Sequence, residues 1–512
     1  MDRLNEECGV VAVYQMGAAA ESCNVAPLVV RALFDLQNRG QLSSGLTSYN
    51  PSRSRILQTH KELGTVQEVF HANQPHKFAR LMAEYAGTAA IGHTRYATSG
   101  SADMEQAQPF ERVHGRMWKW FAIGFNGNLA NYHGLRNDLE AHGYHITYHS
   151  DTEVMMHYIN RELRGDDQPD FKDLFANLAR IFDGAFNISF INATGDLVVM
   201  RDPWGIKPMC YGEKDGLLVA ASESIVLTNM GIEYHDLQPG EILVANRGGF
   251  KVERYWKPEK RSHCFFEWIY FANLASNLEG RSVYKVRDAI GRELAAMEPL
   301  RERNDFVVVS VPETAVAAGN SFAYHLGVPV MNGLLRNRYV GRTFIDGETR
   351  NDAIRMKFTP LTEILEGKKI FLVDDTLVRA TTLKTVIQDL RERGRAREIH
   401  VRIGSPPIMG PCFYGIDIPT VKELFAPPFL RQAGNAPGNG NGSHGAHDVP
   451  PAVLERMAAQ IGADSLVYLS LEGLVRAIGL SKDDLCVACL DNHYPTPAGQ
   501  ARYEEAKRTA GL

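Results

Sequence analysis

Two adjacent carboxylates, Asp374 and Asp375, close an apolar run, Ile370-Phe371-Leu372-Val373, of the length a buried parallel strand uses. Ligands of open α/β sheets bind beyond the carboxyl ends of the strands, so these two acids stand where a substrate is expected. A short polar loop, Arg379-Ala380-Thr381-Thr382, comes next. From Leu383 to Arg393 the apolar residues Leu383, Val386, Ile387 and Leu390 then keep helical spacing. Loop amides and hydroxyls at the start of a helix attract an anion. Carboxylates for sugar hydroxyls or a metal ion, with an anion loop beneath them, describe a sugar-phosphate site. A strand with a merely solvated acidic end would need no such loop.

The elements around this segment follow a parallel α/β rhythm. Strand-like runs at Phe306 to Val311, Lys369 to Val373 and Ile399 to Ile403 alternate with helical stretches. The first half, to about Lys257, is built differently. Short alternating or apolar runs at Gly9 to Tyr14, Ala89 to Gly92, Phe186 to Ile191 and Leu197 to Met200 are interrupted by helical patterns at Val25 to Asn38 and Thr152 to Arg164, which predicts a layered α+β domain. The boundary falls near Tyr255-Trp256-Lys257-Pro258. Residues 432–451, rich in Gly, Asn, Ala and His, cannot bury enough apolar surface to order themselves and are expected to form a disordered insert.

Bulk properties narrow the partners. The 512 residues carry a net charge of −5, with no domain-wide basic excess, which argues against a nucleic-acid surface and for small molecules. No run of about eighteen apolar residues is present to span a bilayer. Met1 to Glu7 holds no apolar segment that could act as a secretory signal, so a cytoplasmic protein without a membrane partner is expected. Seven cysteines in so long a chain do not suggest a disulfide scaffold; each is core filler, catalyst or metal ligand.

Cys8 lies in Glu7-Cys8-Gly9-Val10, just ahead of the first strand, and an isolated cysteine there would read as a small buried hydrophobe. Three segments change that reading: Gly92-His93-Thr94-Arg95-Tyr96, Phe125-Asn126-Gly127-Asn128-Leu129 and Ser150-Asp151-Thr152-Glu153. Together with Cys8 they resemble the glutaminase domain of the N-terminal nucleophile amidotransferases. The resemblance implies removal of residues 1–7 as a propeptide, which would give Cys8 a free α-amino group with a pKa of about 7.7–8.0 as its base. It implies Arg95 for the glutamine α-carboxylate, Asp151 for the α-amino group, and Asn126 with Gly127 for the oxyanion. The turn Gln37 to Gly45 departs from the family, which commonly has His at Asn38 and an acid at Leu42.

The Ile370 to Thr382 segment in turn resembles the signature of type I phosphoribosyltransferases, which bind 5-phosphoribosyl 1-diphosphate (PRPP). Asp374 and Asp375 would hold ribose hydroxyls and Mg²⁺, and Arg379 to Thr382 the 5-phosphate. Ala380 stands where that family usually has glycine, and an alanine at positive φ would cost about 1–2 kcal/mol. Val311-Pro312-Glu313-Thr314 and the stretch Arg336 to Ile345 look like the diphosphate and flexible loops of the amidophosphoribosyltransferase family. Thr314 would then join the Mg²⁺ site, and Arg338 and Arg342 would clamp diphosphate. Phe271-Ala272-Asn273-Leu274-Ala275-Ser276 departs from the Arg-Pro-Asp-Ser that this family usually shows after the aromatic-alanine pair.

Cys486-Val487-Ala488-Cys489, with Cys264 and Cys412, resembles the segments that hold a [4Fe–4S] cluster in some members, with a four-cysteine zinc site as the chemical rival. Cys23 and Cys210 belong to neither set and are expected to be structural.

The resemblance implies an α+β N-terminal nucleophile domain over 8–258, an α/β type I phosphoribosyltransferase domain over 259–490, and a C-terminal tail over 491–512. It implies synthesis of 5-phosphoribosylamine from glutamine and PRPP at the first step of purine synthesis, a homo-oligomer, and inhibition by purine nucleotides. A glucosamine 6-phosphate synthase would share the first half but not the Asp374-Asp375 segment. A non-enzymatic PRPP-sensing regulator would have no use for Cys8, Arg95, Asn126 and Asp151.

Overall fold

The alternation Val10, Ala12, Tyr14 against Val11, Val13 decides where the first strand lies. In a computed structural model that describes residues 6–17, 23–97, 104–337, 355–418, 420–432 and 449–510, the strand Glu6–Gln15 sits inside a seven-stranded sheet. It pairs antiparallel with Ala89–Ala97 on one side and Leu217–Ala221 on the other. Val11 and Val13 pack on the helix Ala26–Asp35 through Val29 and Leu33, while Val10, Ala12 and Tyr14 face a second, six-stranded antiparallel sheet. That second sheet contains Phe121–Leu129 and Gly184–Asn192. Its Phe121, Ile123 and Phe125 point outward to helices that include Asp151–Glu162, and its Ala122 points inward to the first sheet. The first half is therefore a four-layer stack, helices outside and two sheets within. Each fully buried Val or Leu contributes about 1.5–3 kcal/mol to holding it.

The second half has the parallel sheet expected of its rhythm, in the order Phe306–Ser310, Lys369–Asp374, Glu398–Ile403, Ser465–Tyr468. Both faces are covered, as a parallel sheet requires. Phe306, Val308, Phe371 and Val373 face the helices Val283–Met297 and Val316–Leu326; Val307, Val309, Ile370 and Leu372 face Thr381–Glu392 and Pro451–Ile461. One core runs from this domain into the first, joining Ala130, Ala185 and Ile206 to Cys264, Phe265 and Trp268.

Two expectations change in detail. The stretch read as a C-terminal tail contains the helix Pro497–Thr509, capped by the Thr496 side chain and fastened by Ala498 N–H donating to Asp183 of the first half at 3.0 Å. Of the expected insert, residues 433–448 lie outside the described residues, while Pro451 already opens a helix. Among the described residues no helix is long and apolar enough to cross a membrane.

Candidate active sites

Cys8 and Arg95 are direct cross-strand partners, which puts their Cα atoms about 4.5–5.5 Å apart with both side chains on one face. That face is the one carrying Val10 and Ala12, so both residues look toward the second sheet. Asn126 shares its parity with Ala122 and looks back. Its Nδ2 donates to Ser222 Oγ at 3.3 Å, and the same oxygen accepts from Val10 N at 3.0 Å. Gly127 follows at φ +150°, with the carbonyl oxygen of Ala185 only 1.9 Å from where a Cβ would sit, so only glycine fits.

Asp151 opens the helix Asp151–Glu162, where the dipole favours a carboxylate, and its Oδ2 accepts from Leu129 N at 3.1 Å. Ser150 caps the helix, and Glu153 gathers the amides of Thr147, Tyr148 and His149 within 3.1 Å. The Arg95 guanidinium donates to the side-chain carbonyl of Gln106, a contact the sequence reading missed. Burial pushes the His93 imidazole down to about 3, so it remains neutral while one ring nitrogen meets Phe125 O at 3.0 Å. Cys8, Arg95, Asn126, Gly127 and Asp151 thus gather around one end of the sandwich. The strand Glu6–Gln15 carries Glu6 and Glu7 ahead of Cys8, paired with Ala97 and Tyr96.

At the carboxyl end of the parallel sheet, a cavity of about 320 Å³ is lined by Thr314, Asp374, Asp375 and the whole Arg379 to Thr382 loop. Thr314 Oγ1 donates to Asp375, and Asp375 N donates to Asp374 Oδ1 at 2.9 Å. Burial and the neighbouring charge of Asp375 hold the Asp374 carboxyl well above its usual range, while Lys357, another lining residue the sequence reading missed, pulls the other way. Two acids that resist ionising together are a suitable donor set for a divalent cation. Ala380 is the residue before the helix Thr381–Glu392, and its φ is +62°, so the chain keeps the left-handed turn without the glycine. The Arg379 guanidinium lies between Asp417 and Glu423, 3.6 Å from each. Arg338 and Arg342 lie outside the described residues; Arg336, just before them, lines the cavity.

Tyr96 also lines that cavity, with Phe266, Tyr270 and Phe271. One strand therefore presents Arg95 to the first constellation and Tyr96 to the second.

The four cysteines Cys264, Cys412, Cys486 and Cys489 line a single small buried cavity, where the short strands His263–Cys264 and Leu485–Cys486 run parallel with the two cysteines in register. Burial raises the thiol pKa values of Cys264 and Cys489 well above normal and pushes that of Cys486 up to about 12, with the neighbouring cysteines adding to the shift. Among the described residues no group of three or more His, Cys, Asp or Glu side chains stands in an arrangement for a metal ion. A tetrahedral zinc site needs four sulfurs about 2.3 Å from one point, a tighter gathering than the corners of a cluster require. Of the remaining cysteines, Cys210 is buried in the core beside the first sheet, with its Sγ on Ala221 O, and Cys23 is half-buried.

An antiparallel sandwich with a strand-borne cysteine, joined to a parallel sheet with an acid pair and an anion loop, defines a glutamine amidotransferase fused to a phosphoribosyltransferase. The chain matches the glutamine amidotransferase domain family over 93–229 and the phosphoribosyl transferase domain family over 283–403. Amidophosphoribosyltransferases from Methanothermobacter thermautotrophicus and Bacillus subtilis are 37% and 35% identical to it, each over 96% of this chain and 95% of the relative. The solved glutamine PRPP amidotransferase from B. subtilis, complexed with ADP and GMP, superposes with a TM-score of 0.79 at 34% identity, covering 96% of this chain and 98% of that one. A solved structure of the allosteric regulatory enzyme of purine biosynthesis gives 0.80 at 33%, covering 97% of this chain and 99% of that one. The chain belongs to the amidophosphoribosyltransferase family.

Proposed function

We propose that Cys8 releases ammonia from glutamine and that the ammonia displaces diphosphate from PRPP, giving 5-phosphoribosylamine, glutamate and diphosphate. The observation that carries this reading is the adjacency of Arg95 and Tyr96 on a single strand, Arg95 paired with Cys8 and Tyr96 lining the cavity that holds Asp374 and Asp375. Removal of residues 1–7 exposes the Cys8 amine, which takes the thiol proton as sulfur attacks the amide carbon. Arg95 and Asp151 orient the amino acid end of glutamine, while Asn126 Nδ2 and Gly127 N–H stabilise the oxyanion. Ammonia leaves, and water hydrolyses the thioester to glutamate. The aromatic wall of Tyr96, Phe266, Tyr270 and Phe271 keeps water from the ammonia, whose lone pair attacks C1 of PRPP as the bond to diphosphate breaks.

Thr314, Asp374 and Asp375 would hold Mg²⁺, which supplies charge neutralisation to the diphosphate. Arg379 to Thr382 would seat the 5-phosphate, and Arg338 and Arg342 would meet the diphosphate. Cys264, Cys412, Cys486 and Cys489 line one cavity and would hold a [4Fe–4S] cluster, which would staple the chain at positions more than two hundred residues apart. The relative bound to ADP and GMP supports control by purine nucleotides, and a homo-oligomer in the cytoplasm completes the proposal.

The test is product formation from PRPP with either glutamine or ammonia. Cys8→Ala should abolish the first reaction and spare the second. N-terminal sequencing of active protein should begin at Cys8; full activity with Glu7 retained would sink the amine-as-base step.

A further inference from the structure

The two halves meet at a turn that neither constellation includes. Ser222-Glu223-Ser224 follows the strand Leu217–Ala221, and all three side chains are buried, at most 1% exposed. Ser222 faces the glutaminase site. Its Oγ accepts from Val10 N, two residues beyond the nucleophile, and from Asn126 Nδ2, so both lone pairs are engaged. The amide of Asn126 carries two hydrogens, and fixing one on Ser222 fixes the direction of the other. In a site sealed from water, rotating that amide away would leave a buried acceptor short of a donor.

Glu223 faces the transferase half. Its Oε1 accepts from Asn38 Nδ2 at 2.9 Å and Arg39 Nε at 2.5 Å; its Oε2 accepts from Asn273 N and Ser276 Oγ, both at 2.7 Å. Ser224 Oγ accepts from Asn277 N at 2.8 Å. Asn38 also donates to Phe271 O at 2.9 Å, and the Phe271 ring lines the PRPP cavity. Arg287 donates to Ala272 O and Trp268 O, each at 2.9 Å, and its charge is felt by both Glu223 and Asp375. Asn38 and Asn273, two positions at which the sequence departs from the family pattern, therefore meet at one carboxylate.

We propose that Ser222 is a positioning residue for the oxyanion amide of Asn126, and that Glu223 ties that position to the Phe271 to Asn277 segment. A ligand that repositions Phe271 in the PRPP cavity would thereby be sensed in the glutaminase site. This rests on the reading of the reaction given above. It adds a route made of contiguous hydrogen bonds with two ends that can be tested separately.

Two gentle variants separate the ends. Ser222→Ala removes the acceptor, and because an oxyanion contact acts in the transition state, kcat for glutamine hydrolysis should fall about 10- to 100-fold with KM for glutamine unchanged. Ser276→Ala removes one donor to Glu223; hydrolysis without PRPP should match the parent, while stimulation by PRPP should drop about fivefold. Ammonia-dependent synthesis should equal the parent in both, which also reports that they fold. A Ser222→Ala kcat within twofold of the parent, or ammonia-dependent synthesis falling in parallel with it, overturns the positioning role. Undiminished PRPP stimulation in Ser276→Ala, or a parent with no stimulation at all, overturns the link. A parent that makes no product from PRPP with either nitrogen source fails the reaction itself, a result distinct from all of these.

Discussion

Ala380 shows how a single residue can keep a function at a conformational cost. The anion loop needs φ near +62° at this position, and an alanine there stores about 1–2 kcal/mol that a glycine would not. Ala380→Gly should release that strain but surrender about 0.4–1 kcal/mol of unfolded-state entropy, so a net gain between zero and about 1.6 kcal/mol is expected in chemical denaturation. A loss of stability would show that the turn is not strained. Asp374 carries a second consequence at this scale. Because burial and Asp375 raise its pKa, Asp374 holds its proton to a higher pH than a free carboxyl would, and a divalent cation must expel that proton to bind. Affinity for Mg²⁺-PRPP should therefore fall as pH is lowered through the raised pKa, with protons released on binding. Calorimetry in buffers of different ionisation heat reads that release directly, and a pH-independent affinity would contradict it.

At the scale of elements, the strand Phe121–Leu129 does two jobs. Phe121, Ile123 and Phe125 anchor it to the outer helices, and Asn126 and Gly127 are the residues proposed for the oxyanion. Gly127→Ala would drive a Cβ into the Ala185 carbonyl of the neighbouring strand, so the pairing must shift. Glutamine-dependent synthesis should drop by about 100-fold or more, since the oxyanion donor moves with the backbone. Ammonia-dependent synthesis, which uses the other domain, should persist; equal loss of both would mean the whole sandwich has failed.

The strands and helices that carry these residues were legible in the chain because their periodicity is local: Val10 to Tyr14 alternates, and Leu383 to Leu390 keeps helical spacing. Glu223 was not legible, since a lone Ser-Glu-Ser after a strand looks like any turn. Its importance lies in partners at 38, 39, 273 and 276 that only folding brings together. Gln106 and Lys357 escaped for the same reason.

For the whole molecule, the cysteine cavity ties the sequence ends of the transferase half to the glutaminase. The link is short: Phe413, next to Cys412, offers its backbone oxygen to Asn128 Nδ2 at 3.0 Å, and its ring carries the Arg502 guanidinium at 4.8 Å. Asn128 lies two residues from Asn126, and the Arg502 charge acts on Asp151. The fold thus sets the cysteine cavity beside Asn128 of the glutaminase half. Anaerobically purified protein should contain iron and inorganic sulfide, and Cys412→Ser should lose both. Tying Cys264 to Cys486 closes a loop of more than two hundred residues, so loss of the staple should lower the unfolding free energy by about 2–5 kcal/mol, read as a lower denaturation midpoint. Well below that midpoint, Cys412→Ser should raise KM for glutamine while ammonia-dependent synthesis holds, because Phe413, beside Cys412, is bonded to Asn128 in the glutaminase half. Wild-type protein free of iron, or a variant whose two activities fall together, would remove the cysteine site from the control of glutamine use.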